Sequence, residues 1–242
     1  RGLGDVYKRQ LHCSTYFSLS LAEAEAEIRR AVEDLSLGIP GIGRVVSFSY
    51  PYGSSTPEVR AICQRYHVCQ RVIDTDSPSG INRRPIGDST LACLKGYGVY
   101  PPYDRVSFGS LLDETIRVGG WLIVYWHSLS VSGPFNEVVA PYDLFMTFLY
   151  DLQARSDSLW VATQAEVARY VLERERARVA AGVRRGGRAI VVAVSDVSTG
   201  LRRVPLTVRV PLPRRWQVSG AVLDVQTKFP RSYHRRGRGM VE

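Results

Sequence analysis

Apolar residues along the first three quarters of the chain switch repeatedly between helical and strand spacing. In "SLAEAEAEIRRAVEDL" the residues Leu21, Ala24, Ile28, Val32 and Leu35 share one face of a 3.6-residue repeat. Ser20 ahead of it and Glu23 three residues on form a capping box, in which each side chain satisfies the other's free backbone N–H. "GIPGIG" breaks the chain, and "RVVSFS", residues 44–49, predicts a strand. "STPEVRAICQRYH" predicts a second helix, with Thr56 as cap and Pro57 at the first position, where a missing N–H costs nothing. "VCQRVI" predicts another strand. Residues 74–105 are polar and rich in Gly and Pro, with a short strand near 90–94. A helix over 108–118 then leads into "WLIVYW", residues 121–126, apolar throughout like a strand buried on both faces. "PYDLFMTFLYDLQAR" predicts a helix with Leu144, Phe148 and Leu152 on one side, and "LWVA" a strand. "TQAEVARYVLERERARV" predicts a helix opened by a second capping box, Thr163 with Glu166.

Strands and helices in alternation argue for a parallel α/β architecture, whose natural closed form is a barrel. After "AAGVRRGG" helical spacing stops. "RAIVVAV", "VPLTVRV" and "WQVSGAVLDV" read as β-branched strands over about 188–225. The fold class expected is therefore α/β: an incomplete, distorted parallel (β/α) barrel over 11–182, with a small C-terminal antiparallel β appendage and basic tail over 183–242. The opening "RGLGDVYKRQ", residues 1–10, has no apolar periodicity. Back-translated, it resembles codon for codon the end of a transposon adapter, and it is set outside the fold. Strands upstream of Leu11 are then expected to be missing, which would open the barrel, bare a parallel edge and favour aggregation.

Composition changes this picture little: 45% hydrophobic and 23% charged residues are ordinary for a globular domain. No apolar run approaches the ~18–20 residues of a membrane span. The net charge of +9 suggests nucleic acid until it is located. Residues 1–10 carry +2 and residues 183–242 carry +10, which leaves 11–182 at −3. A nucleic-acid footprint belongs on the folded face, so that class of partner is not expected. Cys13, Cys63, Cys69 and Cys93 lack zinc-type spacing and read as thiols rather than a disulfide framework.

Three polar groups follow strands: "HCSTY" with His12, "SYPYG" over 49–53, and "YWHSL" with His127. In parallel barrels the ends that follow strands carry the active site. Taken alone, each has a plainer reading: an incidental N-terminal His, a turn with packed aromatics, and a core histidine. His67 and His234 read as surface or structural residues.

The order of His-x-x-x, aromatic-x-x-Pro-Tyr-Gly and a late apolar strand plus His resembles the polysaccharide deacetylases of the NodB-homology, carbohydrate-esterase class. "GGWLIVYWHSL" and the closing "LWVATQAEVARYVLERERARV" are similar to that family's last strands and helix, so the likeness covers 11–179. The resemblance implies hydrolysis of N-acetyl groups from a polysaccharide, in the cell envelope or secreted. A divalent metal, commonly zinc, activates water there. An Asp serves as base, a His as acid, and a backbone N–H holds the oxyanion. Carried over, His12 matches the first metal histidine and Tyr16 falls where the second belongs. Tyr52 matches the residue whose amide serves the oxyanion, and His127 matches the general acid. Tyr50, Pro51 and Trp126 would lie against the substrate. Asp74 and Asp76 fall where members place an orienting acid.

Departures matter. The Asp pair lies upstream in the family, and Asp5 is the one acid ahead of His12, so the chain as it stands is expected to be inactive. Tyr16 is a poor ligand, because a phenol ionises only near pH ~10; it is one base away from His. Ser49 stands where many members have Arg. These departures support an alternative, a non-catalytic carbohydrate-binding relative.

Overall fold

The computed structural model describes residues 19–195 apart from 42, 54, 74–79, 103–106, 137–138 and 184–188, together with 206 and 208. His12, Cys13, Tyr16, Asp74, Asp76 and His234 lie outside the described residues, as do most of the expected appendage and the tail.

Helix α1 spans Leu21–Gly38 and its capping box is formed as expected, with Glu23 N–H donating to Ser20 Oγ and Ser20 N–H to Glu23 Oε2. Ala24 and Ile28 anchor it, and Leu21 at its start is exposed. Strand β1 (Ser47–Ser49) leads into a 3-10 turn at Pro51–Gly53 and helix α2 (Pro57–Tyr66), capped by Thr56. Then come β2 (Cys69–Ile73), β3 (Ile81–Asn82), the short α3 (Asp88–Leu91) and β4 (Leu94–Gly98). Thr90, expected in a strand, is thus helical, and the strand begins at Leu94. Helix α4 (Phe108–Val118) stops at Gly119, whose φ of 57° supplies the left-handed C-cap.

"WLIVYW" is not one buried strand. It divides into β5 (Trp121–Leu122), antiparallel to β3, and β6 (Val124–Tyr125), parallel to β4. The change of partner falls at Ile123, and only Trp121 of the six is buried. Beyond it, β7 (Ser128–Ser130) runs parallel to β8 (Val139–Pro141), which leads directly into α5 (Tyr142–Gln153). "LWVA" is not a strand: residues 159–162 pair with nothing in the described sheets, and Trp160 and Val161 are exposed. Helix α6 (Gln164–Arg176) follows, with its capping box intact. It ends early, and β9 (Arg178–Val183) with β10 (Ile190–Ser195) forms an antiparallel pair that begins ahead of the expected boundary at Val183.

Strands β1, β2, β4 and β6 form one curled parallel sheet, half of a barrel, in that order. The α/β class and the incomplete barrel expected from the pattern are therefore present. Alternation along β2 separates two cores. Val72 packs with Tyr50, Val59, Ile62 and Cys63 under α1 and α2. Cys69 faces the other way, with Leu94, Trp121, Ala168 and Leu172 under α6. The chain divides into two compact units, Arg1–Ala180 with Val192–Leu206, and Ala181–Val191 with Thr207–Glu242. Strands β1 to β8 and helices α1 to α6 all belong to the first. Among the described residues no helix is long and apolar enough to cross a membrane.

Candidate functional site

Strand β4 is the floor of the site, and its sequence "LKGYG" explains how. Leu94, Gly96 and Gly98 share the face that carries Cys69 and Arg71 on β2. A Cβ at Gly96 would lie 2.9 Å from Arg71 Cδ and 3.2 Å from Tyr125 Cε1. One at Gly98 would overlap the Tyr100 ring and come within 2.5 Å of Tyr125 Oη. Two missing side chains on the middle strand thus let residues of its two neighbours meet across it. Arg71 Cζ stands 4.2 Å from the centroid of the Tyr125 ring, a cation–π contact.

The register places Ser49 of β1 opposite Arg71, and Arg71 Nε donates to Ser49 Oγ at 3.2 Å. Arg71 Nη1 is sealed from solvent and, among the described residues, has no hydrogen-bond partner. Leaving a buried charged donor unsatisfied costs at least about 1–3 kcal/mol. On the far side, Tyr100 Oη lies 3.1 Å from Tyr125 Oη and 3.4 Å from His127 Nε2. The three rings sit with centroids 5.9–6.2 Å apart. Burial first, and then the hydrogen bond with Tyr100, pushes the Tyr125 hydroxyl above the usual tyrosine range, so it stays neutral at physiological pH. His127 itself is exposed at the open end. The cluster Ser49, Arg71, Tyr100, Tyr125 and His127 lies where the parallel strands end, which is where ligands bind in such sheets.

At the end of β1 the chain turns sharply through "YPYG". Tyr50 N–H donates to Arg71 O at 3.1 Å, and Gly53 N–H to Tyr50 O at 3.0 Å, which pins the turn to β2. Tyr52 sits at φ 55°, ψ 14°, left-handed backbone that costs a non-glycine residue roughly 1–2 kcal/mol, and its side chain is 63% exposed. Gly53, also at positive φ, is obligatory for a second reason: a Cβ there would overlap the Ile73 side chain. Strain of this kind gathers at functional sites.

Of the residues assigned by sequence, the structure brings His127 into the cluster and sets Tyr52 two peptides beyond Tyr50, which anchors to Arg71. Tyr50 and Pro51 are buried, and Tyr50 donates its hydroxyl hydrogen to Gln70 Oε1 inside the α1–α2 core. Their side chains are therefore core, not substrate-facing. Trp126 alternates away from Tyr125 and His127 and packs its ring 5.4 Å from Phe145 and 5.7 Å from Phe108. Its Nε1 is buried without a partner among the described residues. Sequence reasoning passed over Arg71, Tyr100 and Tyr125. The signals were present: a charge inside an apolar strand, "VCQRVI", and glycines at alternate positions in the next one.

A separate cavity of about 550 Å³ lies among Ile86, Leu112, Phe148, Trp160 and Val167. Its lining mixes these apolar side chains with Arg84, Gln164 and Arg174 and holds none of the cluster. Among the described residues no three His, Cys, Asp or Glu side chains come together as a metal site. The residues expected to hold the metal, His12 and Tyr16, fall outside the described residues. No protein-family model, curated protein or solved structure matches the chain.

Proposed function

We propose that this chain is part of a metal-dependent carbohydrate N-deacetylase, secreted or in the cell envelope, that hydrolyses N-acetyl groups of a polysaccharide. The observation that carries the reading is the convergence of the ends of β1, β2 and β6 on one cluster with His127 at its open end. His127 would protonate the leaving amine, with Tyr100 Oη at Nε2 orienting the imidazole. The strained Tyr52 peptide would serve the oxyanion. Ser49 stands where the resembled family often has Arg, and Arg71 brings a guanidinium to the same point from the neighbouring strand. The metal, zinc by the resemblance, would come through His12 and Tyr16.

The second reading, a carbohydrate-binding relative without turnover, draws on Tyr16 and on the tyrosine rings that line the cleft, since sugars stack on such faces. The test is acetate release from N-acetylglucosamine oligomers by the protein, with and without added zinc. The deacetylase reading expects release that falls roughly 10²–10⁴-fold in His127→Ala. Binding of the oligomers without release supports the second reading. Neither binding nor release refutes both.

A further inference from the structure

We infer that the cavity between β5 and helices α4, α5 and α6 binds an amphipathic anion, a small molecule with an apolar body and one carboxylate. Its volume of about 550 Å³ lies within the range of pockets that enclose small molecules, about 300–1,000 Å³. The inner wall is apolar: Ile86, Leu112, Trp121 and Val171 are each no more than 9% exposed. Ile86, Trp121 and Val171 belong to the core under α6, so the fold itself sets this wall. The mouth is different. Trp160 lines the cavity yet is 55% exposed, and its ring meets that of Tyr170 edge to face at 5.2 Å. One turn further along α6, Arg174 Cζ stands 5.9 Å from the Tyr170 ring centroid, which carries the wall from aromatic to cationic. Arg84, on the loop ahead of α3, lines the cavity too, and among the described residues no Asp or Glu does. Arg84 forms no ion pair among them. Arg174 gives Nε and Nη2 to one oxygen of Glu175, which lies outside the lining, and Nη1 stays without a partner among the described residues. Two guanidiniums less Glu175 leave one positive charge, which matches a monoanion, and a carboxylate fits the open edge of a guanidinium. A neutral ligand would leave that charge unused, and a cation would be repelled by it. The cavity shares no residue with the cluster around His127, so the inference does not depend on the proposed function.

The probes are octanoate, 1-octanol and octylammonium, which share one tail and differ in the charge of the head. Each is titrated into the full chain below its micellar concentration and read by tryptophan fluorescence, since Trp121 and Trp160 both line the cavity. The expected result is saturable binding of octanoate at least about fivefold tighter than octanol, with octylammonium weakest. Arg84→Met combined with Arg174→Met should remove the preference and keep the octanol response. Val167→Phe combined with Ala162→Phe narrows the space and should weaken all three probes together. Circular dichroism and urea midpoints establish that the variants fold. Arg84 is exposed, so R84M alone keeps the charge test in force if the narrowed variant does not fold. Equal affinity for octanoate and octanol, or a preference that survives in the double methionine variant, overturns the inference. Octanoate binding that narrowing leaves unchanged places the ligand elsewhere and also overturns it, as does the lack of a saturable response to any probe. Octanoate affinity that falls as protein concentration rises shows a second copy of the chain competing for the cavity, and overturns it as well. None of these outcomes bears on the deacetylase reading, whose own test is acetate release.

Discussion

Lowering the pH from 7 to 4 places a proton in contest between water and one imidazole that the fold keeps dry. His67 ends α2, its N–H donating to Cys63 O at 2.9 Å, and its side chain is 3% exposed. Nδ1 lies 3.4 Å from Cys63 Sγ, and the ring stands 5.0 Å from that of Phe48. Burial lowers its pKa from 6.5 to about 4, against the opposing hydrogen bond at Cys63 and with help from the charge of Arg44. The unfolded chain therefore binds this proton at pH values where the folded chain does not. Stability is full above about pH 6.5 and falls as the pH drops toward 4, where the loss levels off. At about 1.4 kcal/mol for each pH unit of displacement, the total is about 3 kcal/mol. That is a large fraction of the roughly 5–15 kcal/mol by which domains are stable. The assay is urea unfolding at pH 7.5, 6, 5 and 4.5 for the full chain and for His67→Phe, which keeps the ring and removes the titration. Every other group titrates alike in both proteins, so the difference in slope isolates position 67. Down to pH 4.5 the variant should lose about 2.5 kcal/mol less than the parent. Parallel stability–pH curves would refute a dry imidazole here.

Gly98→Ala should displace Tyr100 and Tyr125, lowering stability by roughly 1–3 kcal/mol and weakening saccharide binding more than Ala substitution at exposed Glu33 does, read by urea unfolding and calorimetry. Gly53→Ala should cost at least as much, because it adds left-handed strain to an overlap with Ile73; a melting temperature within a degree of the parent's counts against the pinned turn. Tyr52→Gly should leave stability equal or higher while removing whatever the exposed ring contributes to binding, whereas Tyr52→Val should lose roughly 1–2 kcal/mol in the same unfolding assay. Ser20→Ala and Thr163→Ala should each cost about 1 kcal/mol and add in the double variant, since the two capping boxes share no partner.

Helices were legible in the sequence because their signals are local. Ser20 with Glu23, Thr56 before Pro57 and Thr163 with Glu166 each mark a start within a few residues of the helix they open. Strands were legible only where a partner happened to be in place. "VCQRVI" became β2 because β1 and β4 flank it. "LWVA" has equal strand character, yet no described strand offers it a ladder, so Trp160 and Val161 remain exposed coil. "WLIVYW" was read by composition as one buried strand, but its two halves answer to different partners, β3 and β4. The site divides the same way. His127 was visible as a polar residue after an apolar run, whereas Arg71 acquires meaning only when Gly96 and Tyr125 are known to lie beside it.

Register decides which of three consecutive residues reaches the cleft. Gly98 pairs with Tyr125, and period-two alternation then sends Tyr125 and His127 to the face of Arg71 and Trp126 to the opposite one. There Trp126 finds Phe108, Phe145 and Phe148, an aromatic socket built by α4 and α5. A slip of one residue would drive the imidazole into that socket and leave the indole over the glycines, so the apolar packing of α4 and α5 holds the polar site in position. The same logic ties β4 to the chemistry. Without a side chain at 96 a cation on one neighbour lies against a ring on the other; filling 96 would press on Arg71 and Tyr125, and filling 98 would displace Tyr100 and Tyr125, before either touched His127.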